Sequence, residues 1–362
     1  MSRARDFADL AGAADAGGLT GRNIVINGAA VLDQRNGGSS VTPTDGQYTL
    51  DRWRCGLSQA SKFSVQQSTT APDGFKNSIL VTSLSAYSLG ASDLFLIEQR
   101  VEGLNSYQLN WGASGAQSVT LSFWVRSSLT GTFGGSIRNS DNSRSYPFSY
   151  TISSADTWEK KSVAIDGDTS GTWLTTNGTG LQATFGLGVG TSFSGTADAW
   201  ASSAYLSSTG ATSVVGTSGA TFYITGIQLE VGSATPFEHR SFADEYNRCS
   251  RYLKQYKATT LYNQFAFAHT ESTTSHSALF TFDPPMRDTP SAVTVGGNIG
   301  IITQWGLGVT GISAVSLQGT SKGFTQTRLV CTTSTGVGTA GETNILLSNN
   351  NASSTINFDA EL

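Results

Sequence analysis

The sequence predicts an all-β protein of the sandwich or barrel kind, on three observations. Glycine supplies 41 of the 362 residues and only 13% are Asp, Glu, Lys or Arg, against about 7% glycine and about a quarter charged in an ordinary soluble protein. Long unbranched side chains, which favour helices, are therefore scarce, while Gly, Ser and Thr dominate stretches such as residues 202–219. Finally, apolar and polar residues alternate in Ser118-Val-Thr-Leu-Ser-Phe-Trp-Val125, where Val119, Leu121, Phe123 and Val125 mark one face of a half-buried strand. A hydrophobic content of 38%, with 7 Trp, 11 Tyr and 18 Phe, is enough for a core and separates the chain from disordered glycine-rich sequences. Its length fits two or three domains.

Residues 1–18 hold an Ala-rich stretch with Phe7 and Leu10 three apart, one or two helical turns that Gly17-Gly18 would end. From Arg22 the pattern is β. Strands are expected at residues 23–28, 63–67, 79–84, 94–101, 118–125, 158–165, 181–189 and 221–231, separated by Gly, Ser, Asn and Asp clusters. At Ser241 the period changes. Ser241 and Asp244 form a capping signal, and Phe242, Tyr246, Cys249, Leu253 and Tyr256 follow at steps of four, three, four and three. This predicts a helix over 242–257 that either packs on a sheet or lends a two-heptad seam to a subunit contact. Beyond Ala258, strands at 264–269, 278–282, 292–295, 328–331, 345–348 and 356–362 predict a second β domain, with Asp283-Pro-Pro285 and Pro290 as turn or edge features.

The net charge of −4 offers no basic footprint, so neither nucleic acid nor anionic lipid is an expected partner. No run reaches the roughly 18 apolar residues that span a bilayer, and the start carries Arg3, Arg5 and Asp6 without an apolar signal region. The expectation is cytoplasmic synthesis without export or membrane insertion. Cys55, Cys249 and Cys331 lie too far apart for a zinc knuckle or a disulfide framework and are expected as free thiols.

Motifs of known chemistry match in letters and fail in context. Gly306-Leu-Gly-Val-Thr-Gly311 fits a dinucleotide fingerprint, but an alternating strand, Ile312 to Leu317, follows where a helix is needed. Gly319-Thr-Ser321-Lys-Gly323 fits a nucleophile elbow with no histidine downstream of Ser321, and reads as a hairpin turn. His239, His269 and His276 lack metal or general-base spacing, and Asp166 with Asp168 lacks the rest of a calcium loop, so no catalytic residue, metal ligand or cofactor is assigned. Aromatic residues are the informative surplus. Trp53, Trp124 and Trp158 have apolar neighbours and are expected in the core, whereas Trp111, Trp173, Trp200 and Tyr146, with Arg144 beside it, lie in polar surroundings. Rings so placed stack on the apolar face of a sugar, which makes Trp111, Trp173, Tyr146 and Arg144 the candidate carbohydrate-binding residues, with packing under a loop as the alternative.

Several blocks carry a resemblance: Asn23-Ile-Val-Ile-Asn27-Gly28, Asp33-Gln-Arg35, Tyr48-Thr-Leu-Asp51-Arg-Trp53, Leu121-Ser-Phe-Trp-Val-Arg126, Ile227-Gln-Leu-Glu-Val-Gly232, and the run from Thr235 through Ser241 to Tyr252. Together they resemble the carbohydrate-binding-module-like jelly roll of bacteriophage tail fibre and tail appendage proteins, over about residues 20–257. Phe282-Asp-Pro-Pro-Met286 to Ser291 is similar to a segment that follows the helix in such proteins. The resemblance implies a jelly-roll β-sandwich at 21–241 with its first and last strands neighbours, a connecting helix at 242–257, and a second, C-terminal β-sandwich at 258–362 as a receptor-binding tip. It implies a virion protein, commonly a homotrimer, attached to other tail proteins by residues 1–20 and binding host surface polysaccharide. Such modules often hold a structural calcium through an acidic residue after the Asn-Gly stretch; here Ala29 or Ala30 stands there, so no metal is assigned. Trimerisation would use the Phe242, Tyr246, Cys249, Leu253 and Tyr256 seam, and three copies would add avidity. The expected function is a non-catalytic, glycan-binding tail appendage. The alternatives are a tailspike depolymerase working through a carboxylate pair, against which the short chain and lack of a long repeat speak, and a ligand-free spacer.

Overall fold

A computed structural model of the chain describes residues 21–303 and 308–362, the side chains of 320–322 excepted. The expected segment at 1–20 and the first half of the Gly306 motif lie outside the described residues, as does the Ser321 side chain. The fold is all-β with one α-helix among the described residues, and it divides into two units, residues 1–245 with Leu362 and residues 246–361.

The first unit is a jelly-roll sandwich. One antiparallel sheet has the order β1 (Tyr48–Leu50), β2 (Trp53–Leu57), β5 (Leu94–Glu102), β10 (Thr179–Val189), β7 (Gly131–Arg138), β8 (Ser145–Ile152). The facing sheet has the order β3 (Phe63–Ser68), β4 (Ser78–Ser83), β13 (Thr221–Val231), β6 (Val119–Ser127), β9 (Glu159–Ile165). Two short parallel strands, β11 (Ser194–Gly195) and β12 (Ser207–Ser208), pair apart from both sheets. Period-two patterning builds the core between the sheets: Phe95, Ile97 and Val101 of β5, Leu121, Phe123 and Val125 of β6, Phe185 of β10 and Phe222 of β13 are buried there. The same alternation turns Trp124 outward, so Trp53 is fully buried while Trp124 and Trp158 are half-buried, contrary to the expectation that all three are core.

The expected first strand at 23–28 is not a regular strand, although it does lie beside the last one. The Ile24 N–H donates to the Leu229 carbonyl (2.9 Å) and the Ile227 N–H to the Gly28 carbonyl (3.0 Å). Between them the Asn23 side chain takes over the ladder, accepting from Leu229 N (3.1 Å) and donating to Ile227 O (3.0 Å). A left-handed Asn27 (φ 57°) then turns the chain, with its amide donating to the Leu32 and Asp51 carbonyls.

Ser241 caps the helix as expected, its hydroxyl accepting from the Asp244 N–H at 3.1 Å. The helix α1 is however only Phe242–Ser250, and the chain continues as a strand, β14 (Leu253–Lys257). This overturns the helix at 242–257 and with it the seam. Leu253 and Tyr256 are three apart in a strand and point to opposite faces, so they cannot extend the stripe of Phe242, Tyr246 and Cys249. Phe242 is 64% exposed and Cys249 is buried.

The second unit differs from the expected C-terminal sandwich. It holds a closed barrel in the order β15 (Gln264–Ser272), β16 (Ser275–Thr281), β20 (Gln326–Thr333), β19 (Val309–Lys322), β18 (Ile299–Thr303), β21 (Thr343–Ser348), and a three-stranded sheet of β14, β22 (Thr355–Asp359) and β17 (Ala292–Gly296). Closure removes the sheet edges that a sandwich leaves open. Phe280, Phe282, Phe358 and Met286 lead its own core. The strand expected at 312–317 lies within β19, and the pentapeptide at 319–323 runs into the hairpin turn closed by Gly323 N–H to Gln326 O (2.9 Å). All three cysteines are buried thiols outside any disulfide, and burial pushes the Cys55 and Cys331 thiols up to about 12.

Candidate functional site

Strand alternation that sends Phe95 and Ile97 into the core sends Leu96, Glu98 and Arg100 to the outer face of the six-stranded sheet. Register then brings like-numbered neighbours into rows. Arg54 lies opposite Glu98 and Glu98 opposite Thr184; Arg100 lies opposite Gln182 and Gln182 opposite Arg138. Arg54, Glu98, Arg100, Arg138 and Gln182 floor a cleft of about 280 Å³ whose sides include Asp45 and Asn142, with Leu94, Leu96, Phe193, Ala204 and Leu206 as its apolar surface. The segment carrying Phe193 to Leu206 reaches the sheet because Gly134 leaves room; a Cβ there would meet the Ser207 hydroxyl at 2.4 Å.

Glu98 is the hub of the floor, its side chain 2% exposed. Its Oε1 accepts from Arg54 Nη1 (2.7 Å) and Arg100 Nε (3.2 Å), and its Oε2 from Arg138 Nη2 (2.9 Å). Arg138 also donates to Asn142 Oδ1 and to Gln182 Oε1 (3.3 Å), while Gln182 Nε2 donates to the Asn139 carbonyl (2.8 Å). Burial lowers the affinity of Arg138 for its proton and the Glu98 charge opposes that, leaving a guanidinium that stays charged at neutral pH. Asp45 Oδ1 accepts from the Leu57 N–H (3.0 Å). Glu98 is thus held by the protein's own donors on both oxygens, whereas Asp45, exposed, gives one oxygen to a backbone N–H, and the cleft offers guanidinium, amide and aliphatic groups beside that single exposed carboxylate.

The four residues nominated from sequence come together, and beside them stands Trp200. Trp111, Trp173 and Trp200 pack edge to face with centroids 4.7, 5.4 and 5.6 Å apart, Tyr146 meets Trp200 at 5.3 Å, and the Arg144 guanidinium sits 5.7 Å over the Trp200 ring. Arg144 grips Asp168 with Nε and Nη2 (2.8 and 2.7 Å), which raises the Arg144 pKa and occupies one of the two acids once considered for calcium. The indole N–H groups of Trp111 and Trp200 donate to the Gln117 and Asp166 carbonyls (2.7 and 2.8 Å). Trp111 and Tyr146 are buried and the other two indoles half-buried. The cluster is therefore an aromatic knot whose rings cover one another, and the hollow beside Trp111 and Trp173 holds only about 70 Å³. It supports the turn between β7 and β8: Asn139 and Arg144 are anchored on the knot side, by the Thr172 carbonyl and Asp168, and Asn142 is delivered into the cleft.

None of the floor residues was singled out from sequence. They are spread over residues 45–206, and only cross-strand register assembles them. The available signal was the charged run Glu98-Gln-Arg100 inside an otherwise apolar strand pattern. Among the described residues no group of three His, Cys, Asp or Glu side chains is placed to hold a metal ion, and no helix is long and apolar enough to cross a membrane.

No protein-family model matches the chain, and no curated protein matches it. Among solved structures it is similar to the enzymatically active domain of tailspike protein 4 of bacteriophage CBA120, with 13% identity over 58% of this chain and 21% of that one at a TM-score of 0.33. It is similar to a putative sugar binding protein from Bacteroides thetaiotaomicron, with 12% identity over 58% of this chain and all of that one at a TM-score of 0.35. A third is the family 11 carbohydrate-binding module from Clostridium thermocellum, with 10% identity over 54% of this chain and 97% of that one at a TM-score of 0.28. The chain spans about a fifth of the length of the tailspike structure.

Proposed function

We propose that the protein is a non-catalytic glycan-binding component of a bacteriophage tail, with the cleft on the six-stranded sheet as its sugar site. The observation that carries the binding reading is the composition of that cleft. A sugar ring has an apolar face and a rim of hydroxyls, and the cleft pairs Leu94, Leu96, Phe193 and Leu206 with the exposed amide of Asn142 and the guanidinium of Arg54. Its volume lies near the lower end of small-molecule sites, roughly 300–1,000 Å³, and suits the end or a short stretch of a glycan. The engagement of Glu98 by three arginines leaves Asp45 as the one carboxylate of the cleft lining not tied up by cations, which favours binding over hydrolysis, because cleavage of a glycosidic bond needs two carboxyl groups facing the bond. The placement in a virion rests on the sequence blocks that resemble tail appendage proteins. The homotrimer that the resemblance implies no longer has a helical seam to support it.

The test is binding of the full chain to host surface polysaccharide by calorimetry, with size analysis of the polysaccharide afterwards. The expected result is saturable binding that Asn142→Ala weakens by about tenfold, the effect of removing one well-made polar contact of about 1.4 kcal/mol, with no shortening of the glycan. Released oligosaccharide would sink the non-catalytic reading, and binding untouched by Asn142→Ala would move the site elsewhere.

A further inference from the structure

We propose that the ligand of this cleft is an acidic sugar, a glycan unit carrying a carboxylate, held by the Arg54 guanidinium. The inference rests on the glycan-binding reading of the same cleft and adds the chemistry of what enters it.

The charge balance is the first ground. Among the side chains lining the cleft, Arg54, Arg100 and Arg138 stand against Asp45 and Glu98, three positive groups to two negative, and Arg100 also donates to the Leu362 carbonyl oxygen (3.1 Å), which leaves Arg54 with Glu98 as its one side-chain acceptor. Glu98 alone is shared by all three arginines, so its single charge is divided among three cations. Asp45 points an oxygen at a backbone N–H instead of at an arginine. A neutral sugar entering here would leave that excess uncompensated, whereas a carboxylate cancels it.

The second ground is the unused edge of Arg54. Among the described residues its one side-chain hydrogen bond is Nη1 to Glu98, which leaves Nε and Nη2, the two parallel donors of one edge, without a protein partner. Arg144 uses that same pair of atoms to hold Asp168 bidentately, so the protein already contains the geometry required. The edge stays open because residue 46 is glycine, at φ 80°: a Cβ on Gly46 would stand 3.0 Å from Arg54 Nη2. The Arg54 side chain is 19% exposed, which gives it access to solvent while most of its stem is fixed. Arg138 adds an Nε that is buried without a partner among the described residues. A planar two-donor fork with an excess of one charge matches a carboxylate more closely than a doubly charged phosphate.

The test uses the full chain and a panel of uronic-acid oligosaccharides, galacturonate, glucuronate and mannuronate, each paired with its carboxyl-reduced neutral counterpart, and hexose phosphates as a separate arm. The expected result is that at least one acidic member binds about tenfold or more tighter than its reduced form, and that the preference shrinks as salt rises from about 0.05 to about 0.5 M. Arg54→Gln is expected to abolish the preference and Arg54→Lys, which keeps the charge and loses the fork, to retain only part of it. Arg126→Gln, on the other sheet, serves as the charge-matched control. Equal binding of acidic and reduced sugars, lost in Asn142→Ala, overturns the acidic ligand while the glycan reading stands. Failure of every acidic and neutral sugar to bind overturns both, and a preference for the hexose phosphates overturns the carboxylate. Melting curves check that each variant folds; should Arg54→Gln not fold, the carboxyl-reduction and salt arms on the unaltered chain still decide.

Discussion

At the scale of single residues, Glu98 separates a structural from a binding contribution. Its carboxylate is buried against Arg54, Arg100 and Arg138, and removing it leaves three cations facing one another with a partly desolvated Arg138 among them. Breaking a buried ion pair from one side costs about 3–5 kcal/mol, so Glu98→Ala is expected to lower the stability of the sandwich by that order in a denaturant titration. Arg54→Gln removes one partly exposed partner and leaves Glu98 with Arg100 and Arg138, and is expected to cost much less. If Glu98→Ala melted like the parent, the triad would be an ornament of the surface and the rigid floor assumed for the cleft would not exist. The residues legible in the sequence were of another kind. Asn23, Asn27, Asp51, Trp53, Gln228 and Glu230, which carry the resemblance, hold the corner where the chain enters and leaves the jelly roll: Trp53 Nε1 donates to the Asn27 carbonyl (3.1 Å), Gln34 Nε2 to Asp51 (2.6 Å) and Gln228 Nε2 to Glu230 (2.8 Å). Local blocks reveal such stitches because their partners are turns and strand ends at fixed offsets. A cleft floor built one residue per strand has no such signature.

At the scale of elements, alternation was readable wherever a strand buries one face, which is why β6 and β13 stand close to their expected limits. The strands β7 and β8 went unforeseen because Gly131, Gly134 and Gly135 interrupt the alternation of one and a proline sits in the other; their inward residues Phe133, Ile137, Phe148 and Ile152 declare the strand only once Gly131 to Arg138 is laid against Ser145 to Ile152. The helix was overextended for a related reason: Leu253 and Tyr256 continue a step of three and four by accident of spacing, and pairing with β22 decides their conformation. The tryptophan knot makes a prediction at this scale. Trp111 is buried among Trp173 and Trp200 and donates to the Gln117 carbonyl, so Trp111→Ala is expected to cost about 3–5 kcal/mol of stability, the usual range for deleting a buried large aromatic. Trp173→Ala, half-buried, is expected to cost less. If instead Trp111→Ala kept its melting point and lost glycan binding, the knot and not the sheet cleft would be the sugar platform.

At the scale of the whole molecule, two separate hydrophobic cores and a division at residue 245 predict two cooperative units. Calorimetry is expected to resolve two transitions, and His276 to tie that of the barrel to pH. His276 lies fully buried inside the barrel of the second unit, its Nδ1 sharing a hydrogen bond with Thr270 Oγ1 at 3.1 Å and its Nε2 unpartnered among the described residues. Burial holds its pKa below the ordinary 6.5, opposed by Glu271. The folded barrel therefore binds fewer protons than the unfolded chain once pH falls below that ordinary value, and stability falls with it: it is fully present above about 6.5 and is lost as pH drops toward the depressed folded value. Lowering pH from about 7.5 to about 5.5 is accordingly expected to bring down the transition of the barrel, and His276→Gln to flatten that dependence without altering the response of the sandwich, whose unit does not contain His276. A barrel transition indifferent to pH over that window would mean that His276 takes its proton without penalty, through an internal water or a local opening that the buried Thr270, Asn344 and His276 cluster would then have to admit.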